Sequence, residues 1–66
     1  MSVASISEIS SSSTKSFEDA VSKGVSKASE TIRDIRGAWV KDQEVRVKDG
    51  AVTEYVVKLK IIFELE

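Results

Sequence analysis

From Ala51 onward apolar and polar positions alternate, with Ala51, Thr53, Tyr55, Val57, Leu59, Ile61, Phe63 and Leu65 on one side of an extended backbone. A period of two is that of a β-strand with one face on a core, and it predicts a strand over about residues 51–65. At about 3.3 Å per residue such a strand approaches 50 Å. A compact chain of 66 residues has a radius of gyration near 11 Å and so a diameter of roughly 28 Å. The strand outruns its own globule, so the chain is expected to complete its core with further copies of itself.

Upstream the period changes to 3.6. Phe17, Ala20, Val21, Gly24, Val25, Ala28, Ile32 and Ile35 form one stripe, and Glu18, Asp19, Ser22, Lys23, Ser26, Lys27, Glu30 and Arg33 lie opposite. This predicts an amphipathic helix over about residues 14–35. Either Ser13 or Ser16 can cap its first turn, where Glu18 and Asp19 suit the helix dipole. Asp19 and Lys23 stand in the favourable i,i+4 order. Gly24, between Ala20 and Ala28 on the stripe, lets the helix approach a sheet closely despite a propensity cost of about 1 kcal/mol against alanine. Gly37 follows the last apolar residue and is the expected stop.

Two further strands complete the pattern. Residues 3–10 read as a weak strand with Ile6 and Ile9 among serines, and Ser10–Thr14 as a polar connection. Residues 38–48 read as a strand joined to the last by Asp49-Gly50, a two-residue turn that needs positive φ at both positions. The order β-α-β-β predicts an α+β fold, one domain over residues 1–66. Its helix packs on one face of a three-stranded antiparallel sheet; the other face has no cover within the chain.

The turn also sets a register. Lys48 pairs with Ala51, Val47 with Val52, Gln43 with Val56, Lys41 with Lys58, Trp39 with Lys60, Val40 with Leu59 and Ala38 with Ile61. Leu59 and Ile61 belong to the helix-facing stripe. The open face therefore receives Trp39, Lys41, Gln43, Val45, Val47, Val52, Glu54, Val56, Lys58, Lys60 and Ile62. Ala38 and Val40 have the opposite parity to Val45 and Val47. Either a bulge near Asp42-Gln43 flips the strand, or the valines are buried between subunits.

Composition narrows the function. The chain has no cysteine and no histidine, so Cys–His and Ser–His–Asp catalysis and the usual zinc sites are out of reach. Its glycines stand apart at 24, 37 and 50, and none forms a phosphate-cradling loop. An enzyme is not expected. Ten basic and eleven acidic residues give a net charge of −1, without the basic surplus of a nucleic-acid binder. Residues Met1–Ser7 lack the charged and apolar regions of a secretory signal, and no apolar run is long enough to span a bilayer. The expectation is a soluble cytoplasmic protein with neither nucleic acid nor membrane as partner.

Trp39 is the feature this leaves unexplained. Burying one indole removes about 150–250 Å² from water, worth roughly 4–6 kcal/mol before entropy costs, comparable to the stability of so small a domain. On an open face it is an anchor against another subunit, a platform for a flat aromatic ligand, or a surface ring covered by Lys60 in a cation–π contact. Lys41, Lys58 and Lys60 form a basic cluster there. They can hold an anionic tail such as a phosphate, or pair with Glu54, Glu64 or Glu66 of neighbouring subunits.

Four stretches together resemble the dodecin family: Ser16-Phe17-Glu18-Asp19-Ala20-Val21; Thr31-Ile32-Arg33-Asp34-Ile35; Ala38-Trp39-Val40-Lys41-Asp42-Gln43; and Tyr55-Val56-Val57-Lys58-Leu59-Lys60-Ile61-Ile62-Phe63-Glu64-Leu65. The likeness runs from about Ser7 to Leu65. It implies a β-α-β-β subunit and a hollow homododecamer that binds flavin (FMN, riboflavin or FAD) in stacked pairs, for storage or sequestration rather than turnover. The family's flavin-stacking tryptophan falls at Gly37, and the glutamine that hydrogen-bonds the flavin edge falls at Val56. Trp39 shares the parity of Gly37 but is displaced by one repeat, about 6.7 Å. The candidate ligand residues are accordingly Gly37, Trp39, Lys41, Asp42, Gln43, Val56 and Lys58. Some dodecin-like proteins without the flavin determinants are associated with cations or other small ligands, and Asp42 matches an acidic position near the family's site. The alternative to flavin storage is a structural assembly of this kind.

Overall fold

The computed structural model describes residues 3–65; Met1, Ser2 and Glu66 lie outside the described residues. Strand β1 (Ala4–Ser13) leads to helix α1 (Phe17–Ala28), then to strands β2 (Ile35–Lys48) and β3 (Ala51–Glu64). The sheet is antiparallel throughout, in the order β1-β3-β2, with the long C-terminal strand at its centre. The expected β-α-β-β fold with one helix on a three-stranded sheet is therefore present. The molecule is drawn out, 51 × 19 × 14 Å, with a radius of gyration of 13.5 Å, against about 11 Å for a compact chain of this length.

The core lies between α1 and the alternating side of β3. Val57, Leu59 and Ile61 are fully buried, packed with Ala20 and Ala28 and flanked by Ile9, Phe17, Val21, Val25, Ile32, Ile35 and Phe63. Phe17 meets Tyr55 edge to face, with ring centroids 5.1 Å apart, a preferred aromatic geometry. Gly24 sits where the helix comes closest. A Cβ added there would stand 3.0 Å from both Leu59 Cδ1 and Ser11 Cβ, so the close approach depends on glycine above and serine below.

Ser16, rather than Ser13, caps the helix: its hydroxyl accepts from the Asp19 N–H at 2.9 Å. Ser13 is buried and has a different task, donating to Asp19 Oδ2 at 2.5 Å while accepting from the Lys15 N–H. The Ser13 hydroxyl, with Lys23 at 3.1 Å, holds the Asp19 carboxyl below its ordinary pKa, since both favour the charged form.

The helix is shorter than its sequence pattern suggests. It ends at Ala28 with Ser29 as cap, and Thr31 and Ile32 both donate to the Ala28 carbonyl in a closing turn. Ile32 and Ile35 continue the apolar stripe because they still pack on the core, from the connection and from β2. Gly37 is not the helix stop; it lies within β2, and Asp34 turns the chain with φ of +58°. The serine run is not a connection either. Strand β1 carries on to Ser13, paired with β3 from Ala4↔Glu64 to Ser13↔Tyr55.

The hairpin turns at Asp49 and Gly50 with φ of +53° and +77°, as a two-residue turn requires. Lys48↔Ala51, Val47↔Val52, Trp39↔Lys60, Val40↔Leu59 and Ala38↔Ile61 pair as the turn predicts. Between them the register slips by one and returns. Thr53 is the extra residue on β3, and Lys41 the extra residue on β2, so the two bulges cancel. Within the slipped window Gln43 pairs with Val57 instead of Val56, and Asp42 rather than Lys41 faces Lys58.

Candidate functional site on the open sheet face

Side chains of directly paired residues share a face of a sheet. On the side away from α1, β3 contributes Lys58, Lys60 and Ile62. Opposite them stand Asp42, Trp39 and Gly37 from β2, and Ser10, Glu8 and Ile6 from β1. Trp39 is 57% exposed, and the Lys60 ammonium lies 5.2 Å from its ring centroid. Lys41, freed from the ladder by its bulge, reaches across β3 to donate to Glu8 Oε1 at 3.2 Å. Gly37 leaves space: a Cβ there would meet only Ile62 Cδ1, at 4.0 Å. The result is an exposed indole beside a shallow notch, with three lysines and two carboxylates around it.

Of the residues singled out from sequence, Gly37, Trp39, Lys41, Asp42 and Lys58 come together on this face. One does not join them. Gln43 faces the helix side, because the slipped register pairs it with the core residue Val57, and Val45 moves with it opposite Tyr55. Val56 shares the open face with Lys58, paired with Ser12 and Glu44, but it is covered there, 3% exposed, and offers a ligand little surface on the single chain. Sequence reasoning also missed Glu8, which the order β1-β3-β2 places beside Lys60. Its signal was modest: it is the single charged residue of a serine-rich strand, with the parity of Ile6 rather than Ile9.

The residues present do not reproduce the flavin contacts that the resemblance implies. Position 37 has no ring to stack, and the Val56 side chain has no group to hydrogen-bond. The chemistry that does fit is a flat aromatic group laid against Trp39, with a cation at hand. A second concavity, between α1 and the free edge of β1, is lined by Ser7, Ile9, Ser11, Gly24, Lys27 and Ile32 among others. Its cations are already engaged, Lys23 by Asp19 at 3.1 Å and Lys27 by Glu30 at 3.3 Å. Among the described residues no group of three or more acidic side chains is placed to hold a metal ion, and no helix is long and apolar enough to cross a membrane.

Known proteins share this architecture. The chain is similar in structure to a dodecin of Streptomyces coelicolor, with a TM-score of 0.92 at 29% identity over 98% of this chain and 93% of that one. A Thermus thermophilus protein matches with a TM-score of 0.93 at 27% identity, over 100% of this chain and 97% of that one. A calcium-chelating immunodominant antigen of Mycobacterium tuberculosis, termed calcium dodecin and described with a novel calcium-binding site, matches with a TM-score of 0.83. That likeness is 31% identical and covers 97% of this chain and 91% of the antigen. No curated protein matches. The family model described as Dodecin matches residues 3–66, and with the sheet order and helix placement above, the chain belongs to the dodecin family.

Proposed function

We propose that this protein is a homo-oligomeric binding and storage protein for a small, flat aromatic ligand. In this reading the ligand sits on the open sheet face against Trp39, and no chemical step is performed on it. The exposure of Trp39 carries the reading. A tryptophan left 57% exposed forgoes several kcal/mol of burial, and the notch at Gly37 gives a second ring room beside it. Lys41, Lys58 and Asp42 supply the polar surround. Flavins are the ligands the family resemblance suggests, with the contact point moved from position 37 to Trp39. Twelve copies in a hollow shell are the assembly the family resemblance suggests, and Val40, Val45, Val47 and Val52, exposed along the hairpin, are apolar surface that contacts between copies would cover.

Native mass and a ligand titration test this reading together. The protein should elute at many times 7.2 kDa, and riboflavin or FMN should quench the single tryptophan while losing its own fluorescence. A single-chain species, or no change in either signal up to about 100 μM ligand, a ceiling near −5.5 kcal/mol of binding, would overturn it.

The similar calcium dodecin favours a second reading, an assembly that binds a cation. In that case the carboxylates would have to come from more than one copy, because no described group of three lies within one chain. Calcium raising the melting temperature of the assembled protein, with flavins inert, would decide for it.

A further inference from the structure

We infer that Lys60 decides which aromatic ligands Trp39 accepts, a role that rests on the open face being a ligand site. It selects flat rings with an anionic substituent over neutral ones. Lys60 Nζ lies 5.2 Å from the indole centroid, and among the described residues it forms no ion pair. Its nearest carboxylate by register is Glu8, directly opposite on β1. Glu8 is taken by Lys41 at 3.2 Å. Lys58, the next cation along β3, faces Asp42 instead. The bulge at Lys41 thus has a chemical effect: it brings a second lysine to Glu8 and leaves Lys60 with the ring alone.

A cation held only by a ring quadrupole at a half-open site is weakly held. A neutral flat ligand stacking on Trp39 competes with Lys60 for the π-face and returns nothing to it. A ligand whose ring carries a phosphate or carboxylate offers Lys60 an ion pair in exchange, a charge-assisted contact stronger than the one lost. The flexible four-carbon stem of Lys60 lets the displaced ammonium follow an anion carried on a side chain of the stacked ring. Trp39 supplies affinity for the ring, and Lys60 supplies preference for the charge.

FMN and riboflavin share one ring system and differ in a phosphate, so the change in their ratio of affinities when Lys60 is substituted isolates its contribution from that of Lys41 and Lys58. Both are titrated into the assembled protein while following Trp39, the single tryptophan of the chain. Wild type should bind FMN about tenfold or more tightly than riboflavin. Lys60→Met should bring the ratio close to one with riboflavin affinity kept or raised, and Lys60→Arg should retain the preference. The wild-type ratio should also shrink as salt rises from about 50 to about 500 mM, as expected of an exposed ion pair, a test that needs no variant. Equal affinities in wild type, or a preference that survives both salt and Lys60→Met, would overturn the role of Lys60 and leave the site reading intact. Absence of binding by either flavin would overturn both.

Discussion

Strands β1 and β2 flank the same central strand, yet they meet opposite fates. β1 is largely serine and lies beneath the helix, its alternate residues partly covered and Ser13 buried. β2 carries Ile35, Trp39, Val40, Val45 and Val47, yet beyond Gly37 every one of its residues is exposed. Hydrophobicity alone would put the helix over β2. Shape puts it over β1, where Ser11 and Gly24 together let the helix come near enough to close over Leu59. Dense packing rewards fit, and small residues at the contact allow it. The apolar surface of β2 is thereby left for something outside the chain.

The sharpest way to break this contrast is to unseat the helix. Gly24→Val places a branched side chain against Leu59 Cδ1 and Ser11 Cβ, each 3.0 Å from the first added carbon. Overpacking of that kind should lower unfolding stability by about 2 kcal/mol or more, read as a drop in the urea midpoint. A change under about 0.5 kcal/mol would mean the close approach is not needed. On the other side, Val47→Ser should leave the packing within one chain alone, because Val47 is 61% exposed. Its expected effect is on the concentration-dependent part of stability, a melting temperature that falls as the protein is diluted more steeply than in wild type. Identical dilution curves would show that this valine touches no other copy.

Two smaller effects refine the picture where helix and sheet join. Asp34 holds a left-handed conformation, φ +58°, in the connection to β2. Asp34→Gly should be neutral or stabilising by about 0.5 kcal/mol, while Asp34→Val should cost about 1–2 kcal/mol, measured by thermal melting. The Asp19 carboxyl, lowered by Ser13 and Lys23, should show in acid. A depressed folded pKa means its stabilisation is complete above the ordinary carboxyl value of 3.8 and fades as pH falls through the lower folded value. Asp19→Asn should flatten the pH dependence below about pH 4, and a melting curve series unchanged by the variant would refute the link.

Much of this was readable in the residues. The alternation of β3, the Asp49-Gly50 turn and the glycine on the helix's sheet-facing stripe each follow from one local rule. The helix end was not readable, because Ile32 and Ile35 extend the 3.6 stripe while packing on the core from a turn and a strand. The last residues of the serine strand, Ser11–Ser13, were hidden for the reverse reason: they are poor strand formers, and β3 recruits them by pairing along its length. In the site, Trp39 and its partner Lys60 were legible because the register returns to its starting phase. Gln43 was misplaced because it lies in the slipped window, and Glu8 was missed because only strand order, a property of the whole fold, brings it near.

The side to which the indole points is decided far from the indole. Were Thr53 drawn into the ladder opposite Arg46, the Lys41 bulge would set Trp39 opposite Leu59 and turn it inward; held out as an extra residue near the hairpin tip, Thr53 keeps the indole on the outer side. Loss of Thr53 itself would join Val52 to Glu54 and leave Arg46↔Glu54 and Trp39↔Lys60 paired, so only the tip would rotate. A residue lost from the paired stretch beyond it has no such slack and would need a matching loss on the other leg.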